Sequence, residues 1–228
     1  MIIEKDLNNI CIIIAKALCK LTLEVVAVSD IKLFNKWDYD NLQVSDLGLQ
    51  RYISLKPVIL PHTGGRHEHK RFGKSEVPIV ERFVNRLIAL GLAKGKGGKH
   101  IKMCIATGKK QTAINIVKNA FEMVHLRTGK NPIQVLIDAI VNSAPREDTT
   151  RISYGGIVYH QSVDMSPQRR VDTALRFLAQ GALKASKKNS TTIEECVAEE
   201  LIAASENNPR SYAISRKEER ERIAAAAR

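Results

Sequence analysis

Glycine and lysine recur in two short stretches, GLAKGKGGKH and TGKKQT, where they could bind the phosphates of a nucleotide. A P-loop requires GxxxxGK followed by serine or threonine, because its backbone amides and its lysine must converge on the phosphates. Here Lys110 follows Gly108 and Lys109, and no glycine lies five residues before Gly108; GKGGKH fails the same pattern. We therefore expect phosphate-facing or merely flexible loops, and we predict no nucleotide cofactor.

Three histidines, His62, His67 and His69, lie close together in HTGGRHEH and could ligate a metal ion. No cysteine or third spaced ligand completes a closed site, so surface histidines that contact phosphate or water are the preferred interpretation. No serine occupies a GxSxG nucleophile elbow, and we find no other catalytic constellation. The sequence predicts neither a metal site nor an enzyme.

Basic residues are concentrated in one part of the chain. The 228 residues include 36 lysines and arginines against 24 acidic residues, which gives a net charge of +12. Fifteen of the basic and four of the acidic residues lie between His62 and Lys130. Charge that served only solubility would be spread more evenly, so this distribution predicts a polyanion-binding face. Because only 5% of residues are aromatic, structured RNA or a duplex backbone is a better target than stacked single-stranded bases.

No segment reads as a secretion signal or a membrane anchor. The apolar run ICIIIAKALC near the start is interrupted by Lys16 and is far shorter than the roughly 20 residues that span a bilayer. Four cysteines lie far apart without a CxxC pair, as in reduced cytosolic proteins. We expect a cytoplasmic protein without a membrane partner.

Helix signals follow one another from residue 77 onward, with apolar residues at helical spacing after each start. The first four starts are Pro78, the TGKKQT turn, Asn131 with Pro132, and Ser166 with Pro167. Gly129 is expected to end the second helix, because glycine is common at the helix C-terminus. The third helix carries almost no charge and should be the most buried.

Two further helices are predicted near the end of the sequence. Thr192 and Glu195 form a capping box for the fifth helix, and Ser215 with Glu218 would begin a sixth over residues 215–228. Long helices joined by short turns predict a mainly α fold, a bundle of about six helices.

One stretch interrupts the helical pattern. TTRISYGGIVYHQSVDMSPQRR contains two strand-like runs joined by Gly155 and Gly156, which predicts a β-hairpin near residues 150–164. A hairpin this short cannot build its own core, so it must lean on the helices, pair with another partner or project as an arm.

The chain resembles the universal small-subunit ribosomal protein family numbered seven in bacteria and five in eukaryotes. The blocks that carry the resemblance are PIVERFVNRL, GKKQTAINIVKNAFEMVHLRTGKNPIQVLIDAIVNSAPREDTTRI, VDMSPQRRVDTALRFLAQGA and SYAISRKEERERIAAAAR. DIKLFNKWDYDNLQVSDLGLQRYI and LPHTGGRHEHKRFGKSEVPIVERF are similar to its eukaryotic branch. The resemblance runs from about Asp30 to Arg228.

The resemblance implies a helical bundle with a protruding β-hairpin arm, acting as a structural constituent of the small ribosomal subunit in assembly and translation. The protein would bind the 3' domain of the small-subunit ribosomal RNA in the head and contact neighbouring head and platform proteins. It would border the exit site for tRNA and mRNA. An RNA- or DNA-binding regulator outside the ribosome is the alternative.

The resemblance also assigns roles to residues by position. Basic residues on the helical surface and beside the hairpin would bind RNA: Arg66, Lys70, Arg71, Lys74, Arg82, Arg86, Lys109, Lys110, Lys118, Arg146, Arg151, Arg169, Arg170 and Arg176. The hairpin tip near the exit site would be Tyr154, Gly155, Gly156, Tyr159 and His160. The flanking arginines are expected to hold the base of the arm, Arg146 and Arg151 on one side and Arg169 and Arg170 on the other.

The same comparison divides the chain into an unmatched extension (1–29), a partly extended eukaryote-type segment (30–76) and the helical core (77–228). An apparent insertion over residues 92–106 carries four lysines, Lys94, Lys96, Lys99 and Lys102. Tyrosine and histidine occupy the hairpin tip where eukaryotic relatives carry arginine. The tip would therefore exchange long-range attraction for stacking.

Overall fold

Six long helices and a β-hairpin make up most of the described part of the chain. The computed structural model describes residues 31–89, 92–94, 100–102, 108–187 and 189–228, so the predicted extension 1–29 lies outside it. In chain order the elements are α1 (Leu47–Gln50), α2 (Ile79–Ala89), β1 (Leu92–Lys94), β2 (His100–Lys102), α3 (Lys110–Thr128), α4 (Pro132–Ser143), β3 (Glu147–Tyr154), β4 (Ile157–Asp164), α5 (Pro167–Ser186), α6 (Ile193–Ser205) and α7 (Tyr212–Ala226). The predicted mainly α bundle with a hairpin is confirmed.

Local signals in the sequence place most helix ends correctly. The Asn131 side chain accepts a hydrogen bond from the Ile133 amide at 3.0 Å at the start of α4. Gly129 ends α3 with a φ of +66°, a left-handed conformation that favours glycine. Thr192 and Glu195 form both hydrogen bonds of the predicted capping box at α6.

The start of α7 differs from the prediction. The helix begins at Tyr212, so Ser215 lies within it, and Ser211 is the cap. The Glu200 carboxylate of α6 accepts hydrogen bonds from the Ser211 hydroxyl at 2.7 Å and the Ala213 amide at 2.9 Å. A neighbouring helix therefore supplies the acceptor that fixes this end, because the first amides of a helix have no partner within it.

Helix α4 lies within the shared hydrophobic core, as its lack of charge predicts. Eight of its twelve residues are buried. The largest fully buried side chains come from five of the long helices and the segment before them: Phe83, Phe121, Leu33, Leu49, Ile79, Ile133, Leu136, Ile137, Ile140, Leu175, Leu178 and Leu201. No helix in the described ranges has the length and apolar character to cross a membrane.

Residues 31–76 pack against this bundle with little regular structure of their own. Leu33 and Leu49 are fully buried in the core. The Gln134 side chain of α4 donates to the Gln43 carbonyl at 3.0 Å and accepts from the Gln43 amide at the same distance. These reciprocal bonds fix an otherwise irregular backbone on the helices.

A short antiparallel strand pair, β1 and β2, falls within the apparent insertion. Its register places Leu92 opposite Lys102 and Lys94 opposite His100. Residues 95–99 and 103–106 of the insertion, with Lys96 and Lys99, lie outside the described residues.

Strands β3 and β4 form the predicted hairpin over eight residues each. Their register runs from Glu147 opposite Asp164 to Tyr154 opposite Ile157. The hairpin begins three residues earlier than residue 150, because the pairing continues down to the bundle. Gly155 and Gly156 have φ values of +58° and +81°, as a two-residue hairpin turn of this kind requires.

Gly181 of α5 leaves space for the Glu200 carboxylate. A Cβ atom at position 181 would lie 2.7 Å from the Glu200 Cδ, which is closer than two carbon atoms can pack. Because of this overpacking, we expect Gly181→Ala to lower the free energy of unfolding by about 1 to 3 kcal/mol in urea denaturation. In a Glu200→Ala background the same change should cost little, since the opposing group is gone and alanine favours a helix. Equal costs in both backgrounds would contradict this account.

Candidate RNA interface

Residues 62–76, which we call the basic loop, precede α2 and present cations to solvent. It contains two turns of 3-10 helix, Arg66–His69 and Gly73–Glu76. Exposed cations on this loop are Arg66, Lys70 and Arg71. The Arg71 guanidinium lies 5.3 Å from the centre of the exposed Phe72 ring, so it rests against an apolar surface while its donors face outward.

Three cations from two segments meet at the carboxylate of Asp172 on α5. Arg82 of α2 lies closest, with Nη2 3.0 Å from Oδ1. Lys74 Nζ lies 3.6 Å from Oδ2 and Arg86 Nη2 lies 3.9 Å from Oδ1. This carboxylate therefore links the basic loop and α2 to α5.

Arg82 does not lie on a free surface, and the expectation that it faces RNA is wrong. Its side chain is only 4% exposed. Besides Asp172, it donates to the Tyr52 carbonyl at 2.8 Å. The loop and residues 31–61 cover the side of α2 that its amphipathic pattern left polar. Arg82 lies on that side, and it is therefore an internal residue.

A cleft of about 200 Å³ opens beside this cluster, lined by His67, Lys74, Arg82, Arg86 and Asp172 among others. The side chains of Lys74 and Arg86 remain 44% and 33% exposed. Asp172 holds both cations near the cleft without covering them, so each can still reach an anion.

Lys110 is also occupied by an internal partner. Its ammonium donates to Glu81 Oε1 at 2.6 Å, and the amide and hydroxyl of Thr63 donate to the same oxygen at 2.9 Å. Burial acts to raise the pKa of the Glu81 carboxyl, but these hydrogen bonds outweigh burial and hold that pKa below its ordinary value. Glu81 thereby ties the start of the basic loop to α2 and α3.

The base of the hairpin is held through two acids, Glu147 and Asp148. Asp148 pairs with Arg220 of α7 at 3.3 Å and with Arg169 of α5 at 3.7 Å. Arg228 pairs with Glu147. The anchor therefore consists of carboxylates on the arm and cations on α5 and around the end of α7.

This arrangement corrects part of the predicted anchor. Arg169 does hold the base of the arm. Arg170 does not, because it is paired at 2.9 Å with Asp46, which lies among residues 31–76 before the bundle. Arg151 lies farther up the arm, opposite His160, and is exposed. Arg146 contributes to the anchor through its backbone amide, which donates to the Glu221 carboxylate at 3.0 Å. Arg146 itself is exposed.

The two faces of the arm differ in chemistry. Cross-strand partners share a face, so the pairs Ile152 with Tyr159 and Tyr154 with Ile157 lie on one side and Arg151 with His160 on the other. Tyr154 is 81% exposed and Tyr159 is 55% exposed. The arm thus offers an apolar aromatic face with a polar face behind it.

The fourteen predicted RNA-binding residues all lie in the described part but fall into three groups. Eight are exposed: Arg66, Lys70, Arg71, Lys109, Arg146, Arg151, Arg169 and Arg176. Five are partly buried: Lys74, Arg86, Lys110, Lys118 and Arg170. Arg82 alone is buried. Sequence reasoning missed the acids that hold them, Glu81, Asp148 and Asp172, because an isolated acid among many basic residues gives no local signal.

Metal binding finds no support in the described ranges. No group of three or more histidine, cysteine, aspartate and glutamate side chains is arranged there to hold an ion. His67 contacts Glu68 at 3.1 Å. What the site offers is a set of cations positioned by carboxylates, which suits the phosphates of a polyanion.

A family model described as ribosomal protein S7p/S5e matches residues 49–228. The chain belongs to this family. One relative is the small ribosomal subunit protein uS7 of Methanothermobacter thermautotrophicus, which is 47% identical over 195 residues, 86% of this chain and 98% of the relative.

Family membership confirms the resemblance seen in the sequence blocks. The family consists of structural ribosomal proteins, so the prediction of a ribosomal, non-enzymatic protein is confirmed as well. An archaeal relative at this identity is consistent with the eukaryotic type of the family.

The Glu81 network predicts a pH-dependent stability. A carboxyl whose pKa is lowered on folding stabilises the fold above its unfolded pKa, about 4.3, and that contribution is lost as the pH falls through the folded pKa. We expect Glu81→Gln to cost about 2 kcal/mol at pH 7, because Lys110 loses its partner. The difference from the unsubstituted protein should shrink below about pH 4 in urea unfolding series.

The exposed neighbour Glu76 provides the matched control, and Glu76→Gln should change the free energy of unfolding by less than about 0.5 kcal/mol. A Glu81→Gln difference that stayed constant from pH 7 to pH 3 would rule out the charged network.

Proposed function

We propose that this protein is a structural constituent of the small ribosomal subunit that binds the 3' domain of its ribosomal RNA in the head. Membership of the S7p/S5e family carries the proposal. The exposed cations of the basic loop and of the hairpin base support it, because their side chains face solvent on a fold that fixes their positions.

Phosphate neutralisation is the binding mechanism that these side chains suit. Lys70 and Arg71 of the loop are exposed and have no acidic partner in the part of the chain that the structure describes, and Lys74 and Arg86 border a cleft in which Asp172 orients them. Cations fixed in this way lose little conformational freedom on binding, and guanidinium groups match phosphate geometry. The protein would thus fold first and bind RNA as a preformed surface.

The arm would border the exit site for tRNA and mRNA, and the protein would act in the cytoplasm. Support for the first part is the exposure of Tyr154 and Tyr159 on a hairpin whose base is tied to α5 and α7. Exposed tyrosines can stack on unpaired bases. An RNA- or DNA-binding regulator outside the ribosome is the alternative.

The affinity for the ribosomal RNA domain should depend steeply on salt. With about eight phosphates engaged, log affinity is expected to fall with log salt at a slope near −6 to −7. Substituting Lys70→Gln and Arg71→Gln together should weaken filter binding and reduce the magnitude of the slope by about 1.5. The paired control Lys130→Gln and Arg210→Gln, also exposed, should leave the slope unchanged, and a slope near zero for the unsubstituted protein would eliminate the mechanism.

Sucrose-gradient sedimentation tests the placement in the subunit and the role of the arm. We expect the tagged protein to sediment with small subunits at low salt; its persistent absence would favour a free regulator.

Replacing Tyr154 and Tyr159 by alanine should leave sedimentation intact, since both side chains lie away from the anchor, but weaken tRNA occupancy of the exit site. Loss of assembly in that variant would show that the tyrosines belong to the anchor.

A further inference from the structure

A groove of about 790 Å³ is lined by residues of α3, α4, α5 and α6 and of the turn after α6. None of its lining residues is among those predicted to bind RNA. Its apolar portion includes Val135 of α4, which is almost fully buried, and Ile202 of α6, which packs against the core. Charged side chains make up much of the rest, so the groove combines apolar surface with charge.

The charge of this groove differs from that of the chain as a whole. Four acidic residues line it, among them Asp138, Glu199 and Glu206, against three basic ones. Helix α6 contains four glutamates and no basic residue. The whole chain carries a net charge of +12, so the excess positive charge that suits a polyanion lies elsewhere on the surface.

Two helix C-termini add negative potential to the groove. Helix α3 ends at Thr128 and α6 ends at Ser205, and both residues line it. The C-terminal end of a helix carries a partial negative charge of about half an elementary charge, which favours a nearby cation. The last turn of α6 contains no basic residue, so the helix itself does not offset this partial charge.

The acids of the groove remain accessible to a partner. The Glu199 side chain is 62% exposed, although the Arg127 guanidinium lies 3.3 Å from its carboxylate. An exposed ion pair of this kind contributes little stability, so a partner's cation can compete for the same carboxylate. Glu206 is exposed and forms no ion pair within the described residues.

We propose that this groove is a docking site for a lysine- or arginine-bearing segment of a neighbouring protein. The aliphatic stems of these side chains can lie on the apolar portion at Val135 and Ile202 while their charged ends reach Glu199 and Glu206. Charge complementarity of this kind steers a partner to its site and selects against other partners. The inference rests on the proposed function, because it takes the neighbour to be another protein of the small ribosomal subunit.

A basic protein segment fits this groove better than RNA does. The phosphates of RNA would be brought close to Asp138, Glu199 and Glu206, and like charges brought together repel one another. Lys130 and Arg210 could each attract a phosphate, but the acids of the same groove offset that attraction. A cationic segment gains from the acids and from both helix ends.

Photo-crosslinking within intact small subunits tests this docking site. The photoreactive amino acid p-benzoylphenylalanine would replace Arg210, an exposed lining residue whose charge the docking does not use. The same amino acid in place of Lys70 on the basic loop is the comparison, and it should form an adduct with RNA. At position 210 we expect an adduct that protease removes and ribonuclease does not, and mass spectrometry should identify a lysine- or arginine-bearing peptide of another subunit protein.

Two acid substitutions test whether charge drives the docking. Glu199→Gln together with Glu206→Gln should lower the yield of the protein adduct at least about threefold, because the segment loses two charged partners. The matched pair Glu76→Gln and Glu218→Gln also removes two exposed acids, but neither residue lines the groove. We expect that pair to leave the yield unchanged, and sedimentation with small subunits verifies that each variant is folded and incorporated.

The outcomes separate this inference from the proposed function. If position 70 forms an adduct with RNA, the proposed function stands, and the docking site is overturned by any of three results at position 210: no adduct, an adduct with RNA, or an adduct between two copies of this chain. An unchanged yield after Glu199→Gln and Glu206→Gln would overturn recognition of a cationic segment. Absence of the protein from small subunits would overturn both proposals.

Discussion

Three cations from two separate segments converge on the carboxylate of Asp172, which links the basic loop and α2 to α5. In the central pair, the Arg82 side chain is almost completely enclosed, while the Asp172 carboxylate is partly exposed. An enclosed arginine without a partner would be strongly unfavourable, since the cost of removing its charge from water would not be offset. The Asp172 carboxylate therefore contributes to the packing of the bundle through Arg82 and also positions Lys74 and Arg86.

Basic residues consequently divide into two groups with different physical roles. Some are held within the fold by acids, as Lys110 is by Glu81 and Arg170 is by Asp46. Others, such as Lys70 and Arg71, have no acidic partner within the described residues and remain available to an external anion. Net charge alone does not separate these groups, because an internally paired cation adds little to the field that a distant phosphate experiences.

The sequence predicted features that depend on neighbouring residues and missed features that depend on distant ones. The cap at Asn131 and the capping box at Thr192 are local patterns, and the turn at Gly155 needs only two glycines. The start of α7 depends on Glu200 of another helix, and the burial of Arg82 depends on a segment more than twenty residues before it. Periodicity placed Arg82 on the polar side of α2 correctly, but it could not show that a loop covers that side.

The anchor of the arm has a consequence for the order in which the protein matures during its own synthesis. Asp148 is joined to Arg220 across 72 residues of sequence, so β3 and β4 leave the translating ribosome well before α7 does. At about 5 to 20 residues per second this interval lasts roughly 4 to 14 s. Among the contacts of the described residues, the arm then relies on its own ladder, its turn and the pair with Arg169. A two-stranded ladder is barely stable in water. The orientation of the arm is thus completed late, by a helix that is made after nearly all of the core.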